Sequence, residues 1–315
     1  MPFTNLIIAG SSGLIANHLI PALLRSPAFT VTILTRANTT NPPPSIPGAK
    51  VIPVNYNDHS SLVKAITGAD AIISLLSGTS SKDIDLKLLL AAQEARVRRI
   101  FPSEYTLDVL HPDAVSLLSD PKHWPQPASP VVTARTFAAL AQDGPTSYTT
   151  IVPSAFIDGW LRGDFGLFDP KNRRVTLIDG GEEYFTGCSM GFLAEAIVAV
   201  LKMDEERTRN RRVCVAEVRT TMGEIARMYE DVLGEEVERV GVSSGELVER
   251  RDELLKMGDL VGAGFVGIQI GAFNGGGAGD LKDGMEFDGD GGLSVQRRSL
   301  RELVVEAVEA VGMGG

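Results

Sequence analysis

The chain has 315 residues, 43% of them hydrophobic, which is enough for one large α/β domain or one domain with a smaller companion. Its formal net charge of −10 argues against nucleic acid as a partner, because phosphate binding calls for a basic face. No stretch approaches the roughly 20 apolar residues of a membrane helix. The N-terminus lacks the basic run and long apolar segment of a signal peptide. The two cysteines, Cys188 and Cys214, set no disulfide framework. A cytoplasmic protein with two small buried thiols is expected.

In chain order, NLIIAG (5–10) is a short continuous apolar run, as in a strand buried on both faces of a parallel sheet. LIANHLIPALLR (14–25) has helical spacing, with a bend expected at Pro21. TVTILTR (30–36) is a β-branched strand, and ANTTNPPPSIPG (37–48) is a loop. KVIPVNY (50–56) predicts a third strand, and the helix after it has Asp58 as N-cap. DAIISLLSG (70–78) predicts a fourth strand, 83–97 a helix, and RRIFPSEY (98–105) a strand opening into a loop. This rhythm means βαβ units.

The pattern then loosens. Residues 106–130, with five prolines, predict a long connection. A helix over 131–142 and a strand over 147–156 follow, and 174–185 predicts a hairpin turning at Asp179-Gly180-Gly181. Helices are expected at 189–202, at 221–234 with a Thr221/Glu224 capping box, at 243–257 and at 301–311. The charge run 204–212 predicts a solvated helix end and loop, and the Gly/Asp-rich stretch 271–292 a loop.

Between the first strand and helix stands Gly10-Ser11-Ser12-Gly13-Leu14-Ile15-Ala16. Gly10 permits the tight turn, Gly13 lets backbone approach a pyrophosphate, and Ala16 allows close helix–strand packing. The helix N-terminus offers N–H groups and a positive dipole end to phosphates. A dinucleotide site for NAD commonly ends the second strand in a carboxylate for the ribose; here Arg36 stands there, suited to a 2′-phosphate. NADP(H) is the expected cofactor.

Together, AGSSGLIANHL, TILTR, DAIISLLSG and AQEARVRRIFPSEY resemble the NmrA-like and isoflavone-reductase-like branch of the atypical short-chain dehydrogenases. The likeness covers about residues 3–202 and is thin afterwards. It implies a Rossmann-type doubly wound parallel sheet with a smaller C-terminal α+β substrate region, divided as 1–155 and 156–315 with interleaved contributions. By resemblance, Gly10, Ser11, Ser12, Gly13, Leu14, Ile15 and Arg36 carry the cofactor. Ser77 and Gly78 end the strand beneath it, and Pro102, Ser103 and Glu104 line the site. A plain structural alternative has Glu104 capping a helix or pairing with a cation.

The family's reductases carry a lysine in the helix after the long connection, and laying 130–142 on that helix puts Thr133 there. A threonine hydroxyl is no general acid near neutral pH, and Arg135 lies on another side of the helix. The Tyr-x-x-x-Lys pair is absent: the residues four after Tyr56, Tyr105, Tyr148, Tyr184 and Tyr229 are Ser60, Val109, Val152, Cys188 and Leu233. Replacement proton donors are His123, Lys122 and Tyr105, with His111 also in the long connection. Trp124, Phe156, Asp158, Trp160 and Tyr184 are candidate substrate contacts, with Phe165 and Phe168 adding aromatic surface. His18 and His59 read as structural, and no metal-ligand spacing occurs.

The expectation is an NADP(H)-dependent oxidoreductase that reduces a small, aromatic or polycyclic, secondary-metabolite-like substrate at a C=O, C=N or conjugated C=C. Two alternatives stay open: an NADP(H)-holding enzyme of a redox-neutral cyclisation or isomerisation, and a non-catalytic NADP(H)-sensing regulator. The partner is a small molecule, with neither nucleic acid nor membrane involved; the oligomeric state is open.

Overall fold

The computed structural model describes residues 2–37, 45–76, 81–119, 129–275, 277–282 and 295–312. The apolar run becomes β1 (Asn5–Ala9), buried at four of its five positions. It leads into α1 (Leu14–Arg25), then β2 (Thr30–Arg36) and β3 (Lys50–Val54). The next helix, α2 (His59–Ile66), begins where the Asp58 carboxylate accepts the Ser61 N–H at 3.1 Å. β4 (Ala71–Ser74), α3 (Ser81–Ala95) and β5 (Arg99–Phe101) follow. Then come α4 (Pro112–Leu118), α5 (Pro130–Gln142), β6 (Ser147–Val152), β7 (Ala155–Phe156) and α6 (Ile157–Arg162).

The later chain forms β8 (Phe168–Asp169), β9 (Arg174–Ile178), β10 (Tyr184–Cys188), α7 (Met190–Lys202), α8 (Glu205–Thr208), β11 (Arg211–Cys214) and β12 (Val218–Thr221). It ends with α9 (Met222–Leu233), β13 (Glu238–Val242), α10 (Ser244–Lys256), α11 (Leu260–Phe273) and α12 (Leu300–Ala310). The expected Thr221/Glu224 capping box forms, and equivalent boxes start α10 and α12.

Two compact units result. The first comprises Met1–Tyr105, Thr133–Ile151 and Leu193–Val213; the second comprises Thr106–Val132, Val152–Phe192 and Cys214–Gly315. A seven-stranded sheet runs β11-β6-β5-β4-β1-β2-β3, parallel from β3 through β6. Strand order therefore reverses between β1 and β4, where open α/β sheets leave a crevice at the carboxyl ends. This is the doubly wound fold read from the sequence. Ile7, Leu34, Ile72 and Ile100 form a core on one sheet face with Leu88, Ala92 and Phe137 from the helices. In the second unit, two three-stranded sheets, β12-β10-β7 and β13-β9-β8, share a core with α6, α9, α11 and α12.

Several local expectations need correction. Strands β9 and β10 are no hairpin: β9 pairs with β13 and β8, while β10 pairs with β12 and β7. Asp179, Gly180 and Gly181 take φ of +48°, +87° and +74°, and Asp179 N–H donates to the Val242 carbonyl of β13. The turn thus hands the chain from one sheet to another, and strands from later in the sequence complete both. The charge run 204–212, read as a solvated helix end and loop, instead holds the short helix α8 and the start of β11. The connection after 105 contains α4. Helix α11, over a Gly-rich apolar stretch, carries no amphipathic pattern because it is buried along most of its length. α1 continues through Pro21, where Asn17 and Pro21 are both exposed and water can replace the missing backbone bond.

Candidate functional site

The glycine turn sits at the strand-order reversal. Gly10 has φ +101°, donates its N–H to the Leu34 carbonyl at 3.2 Å, and stands beside β4, where Leu75 N–H donates to Ala9 at 2.8 Å. A Cβ at Gly10 would lie 3.3 Å from the Leu75 carbonyl oxygen. Gly13, at φ +112°, holds the N-cap position of α1 with no side-chain cap, and a Cβ there would meet nothing within 4 Å. Gly10 answers to crowding and backbone angle together; Gly13 answers to backbone angle alone, facing open space. Ser11 and Ile15 are half-buried, and Ser12 and Leu14 are exposed. The first-turn N–H groups of α1 and its dipole thus face a cradle suited to an anion.

Arg36 ends β2 on the exposed side. Tyr56, 6% exposed, donates its hydroxyl to the Leu34 carbonyl at 3.4 Å. Burial pushes this phenol well above its ordinary range; Arg36 opposes that rise and the Asp85 carboxylate adds to it.

The turn after β5 is held from three directions. The Ser103 amide donates to Asp85 Oδ2 at 2.7 Å, the Ser103 hydroxyl donates to the Leu76 carbonyl, and Glu104 N–H donates to the Pro102 carbonyl at 2.9 Å. Pro102 is buried. Glu104 accepts Arg212 Nη1 at 2.5 Å, both side chains about one-sixth exposed, which is the cation-paired alternative read from the sequence. Tyr105 has a buried hydroxyl with no hydrogen-bond partner among the described residues, and burial, then Asp85, drives it far above the usual phenol range. Thr133 is half-buried on α5 and Arg135 exposed.

In the second unit the candidate substrate residues divide. Trp160, 4% exposed, lies 4.9–5.8 Å between ring centroids from Phe165, Phe265 and Phe273, and Phe168 is fully buried. Trp160 and Phe168 are therefore core residues, a correction to their reading as ligand-facing surface: the apolar α11, not recognised in the sequence, supplies the rings that cover Trp160. Phe156 is half-buried ahead of α6. Asp158 accepts the N–H groups of Gly159 (3.0 Å) and Met190 (3.1 Å), so its carboxylate anchors the starts of α6 and α7. Tyr184 is 42% exposed beneath the Arg219 guanidinium, 3.9 Å from the ring centroid, and Arg219 pairs bidentately with Asp280. His111 caps α4, His59 pairs with Glu94 at 2.8 Å, and His18 is exposed. Ser77, Gly78, Lys122, His123 and Trp124 lie outside the described residues.

Sequence reasoning missed Asp85, Arg212 and Arg99. Asp85 shares a helical face with Leu88, Leu89 and Ala92, all fully buried, and an acidic residue within an apolar stripe is a signal legible in the sequence. Arg99, 1% exposed, bonds Ser147, Thr149, Thr208 and the Glu205 carbonyl, partners up to 109 positions away. Among the described residues no cluster of three or more acidic, cysteine or histidine side chains is placed to hold a metal ion, and no helix is long and apolar enough to cross a membrane.

A parallel sheet with a glycine turn at its reversal point defines the class of doubly wound dinucleotide-type folds. Within that class, the NmrA-like family model matches residues 4–123. Isoflavone reductase homolog P3 of Arabidopsis thaliana is 24% identical over 261 residues, covering 79% of this chain and 81% of that one. Oxidoreductase aprR of Aspergillus flavus is 26% identical over 256 residues, covering 81% and 83%. Among solved structures, AtPrR2 with NADP+ and (+)pinoresinol superposes with a TM-score of 0.74 at 20% identity, covering 98% of this chain and all of that one. The leucoanthocyanidin reductase–NADPH complex from Vitis vinifera gives 0.73 at 18% identity, with 97% and 99% covered. The resemblance to the NmrA-like and isoflavone-reductase-like proteins, carried in the sequence by the glycine turn and VRRIFPSEY, holds across these comparisons.

Proposed function

We propose that this chain binds NADP(H) in its first unit and reduces a small aromatic or polycyclic metabolite. The observation that carries this reading is the glycine turn: two positive-φ glycines and an uncapped helix start, with Gly10 tight against the Leu75 carbonyl and Gly13 facing open space, leave the first-turn N–H groups of α1 free for a phosphate. The residues present fit the cofactor. Gly10 to Ile15 would hold the pyrophosphate, Arg36 the 2′-phosphate, and Pro102, Ser103 and Glu104 the floor beside it. When bound, NADPH supplies hydride to a C=O, C=N or conjugated C=C. Relatives named as isoflavone reductase homolog and phenylcoumaran benzylic ether reductase support the substrate class.

Proton handling differs from the reductases that this chain resembles. Thr133 cannot give up a proton near neutral pH, and the buried Tyr105 hydroxyl holds its proton more tightly than a free phenol. His123 and Lys122 are the other donors proposed from the sequence. This favours, as a second reading, a chain that holds NADP(H) for a redox-neutral step or as a sensor. The deciding experiment measures NADPH binding by fluorescence and NADPH consumption against a panel of ketones, imines and enones. Consumption with any member supports the reductase; tight binding with silence across the panel supports the second reading.

A further inference from the structure

Asp85 is 4% exposed on the apolar face of α3. A carboxylate there carries a desolvation cost that only specific hydrogen bonds offset. One such bond is visible: Oδ2 accepts the Ser103 amide at 2.7 Å, tying α3 to the turn after β5. The hydroxyl of the same serine donates to the Leu76 carbonyl just beyond β4, one residue from the Leu75 carbonyl that limits the space at Gly10. Burial first, and then this carboxylate, raises the Tyr105 hydroxyl; at Tyr56 burial again leads, with Arg36 opposing and Asp85 adding a smaller rise. One buried carboxylate thus ties α3 to the turn after β5, whose serine in turn reaches the end of β4.

We propose that Asp85 is a positioning residue of the dinucleotide site, holding the 102–104 turn through the Ser103 amide so that this turn and the Gly10 turn form one preorganised floor. The inference rests on the NADP(H) reading. It predicts that the acceptor matters more than the charge. Asp85→Asn, whose amide oxygen can still accept the Ser103 N–H, should bind NADPH within about threefold of the native protein. Asp85→Leu, which leaves that amide without its partner, should weaken NADPH about tenfold, the fold-change that one unpaired buried donor corresponds to.

The test combines NADPH binding by fluorescence with amide hydrogen exchange of residues 99–106, both well below the melting temperature. Asp83→Asn is the control, since Asp83 sits on the same helix with a largely exposed side chain, paired with Lys87. Weaker binding by Asp85→Leu, with faster exchange centred on 102–104 and an unaffected control, supports the inference. An unchanged dissociation constant, or faster exchange spread evenly over β1, β4 and β5 with binding intact, overturns it and leaves the cofactor reading standing. If Asp85→Leu does not fold, Asp85→Glu decides: its extra methylene should displace the turn and weaken NADPH at least about fivefold, and native affinity overturns the inference. A native protein that binds neither NADPH nor NADH overturns the cofactor reading and this inference with it.

Discussion

At Gly10 a φ of +101° coincides with a Cβ position 3.3 Å from a backbone oxygen that cannot swing away. Gly10→Ala should therefore cost about 1–3 kcal/mol of stability, read from urea denaturation, and should also weaken NADPH. Gly13→Ala meets the same kind of backbone penalty without the contact, since nothing lies within 4 Å. Arg36 permits a cleaner separation, because its proposed partner is a phosphate that only one of two cofactors carries. Arg36→Glu should weaken NADPH far more than NADH in parallel titrations, whereas an equal loss would sink the 2′-phosphate assignment.

At the scale of elements, much of the second unit depends on bonds between segments distant in sequence. Glu217, just before β12, has a side chain only 1% exposed; it accepts Ser189 N–H at 2.9 Å and Arg298 Nε at 3.0 Å. Removing the cation strands a buried carboxylate. Arg298→Ala should lower stability by about 2–3 kcal/mol, less than for a fully buried pair because Arg298 is one-third exposed. Glu217→Gln in the Arg298→Ala background should recover part of that loss in chemical denaturation, since no buried charge is left alone. The capping box of α9 is worth less: Thr221→Ala should cost about 1 kcal/mol.

For the whole molecule, acid stability has an identifiable contributor. Partial burial alone would raise the Asp70 carboxyl, but the Asn5 and Thr4 amides, the Thr4 hydroxyl and the Arg98 guanidinium together hold it down, from 3.8 to about 2. A native pKa below the unfolded one means that this stabilisation is complete above about pH 4 and drains away as pH falls toward 2. Asp70→Asn should flatten that part of the pH–stability curve; an unchanged acid limb would assign it to other carboxylates. The chain also crosses between its two units repeatedly, and 193–213 return to the first unit. A fragment of residues 1–155 would leave the buried Arg99 without Thr208 and Glu205, so it should show poorly dispersed amide spectra.

Local physics wrote the glycine turn, the β1-to-β5 rhythm, the Asp58 cap and the Thr221/Glu224 box into the sequence, because each rests on residues a few positions apart. Arg36 at a strand end was legible in the same way. The split of 174–185 between two sheets was not, since the partners β12 and β13 lie tens of residues downstream and strand pairing is not encoded locally. Nor were the burial of Trp160 by α11, the choice of Arg212 as the cation beside Glu104 or the Asp85–Ser103 bond. The sequence by itself determined that a dinucleotide-type turn opens a parallel sheet. Only the tertiary structure decided which carboxylates find partners and which aromatics vanish into the core, because burial and ion pairing depend on contacts between segments that meet only once the chain has folded.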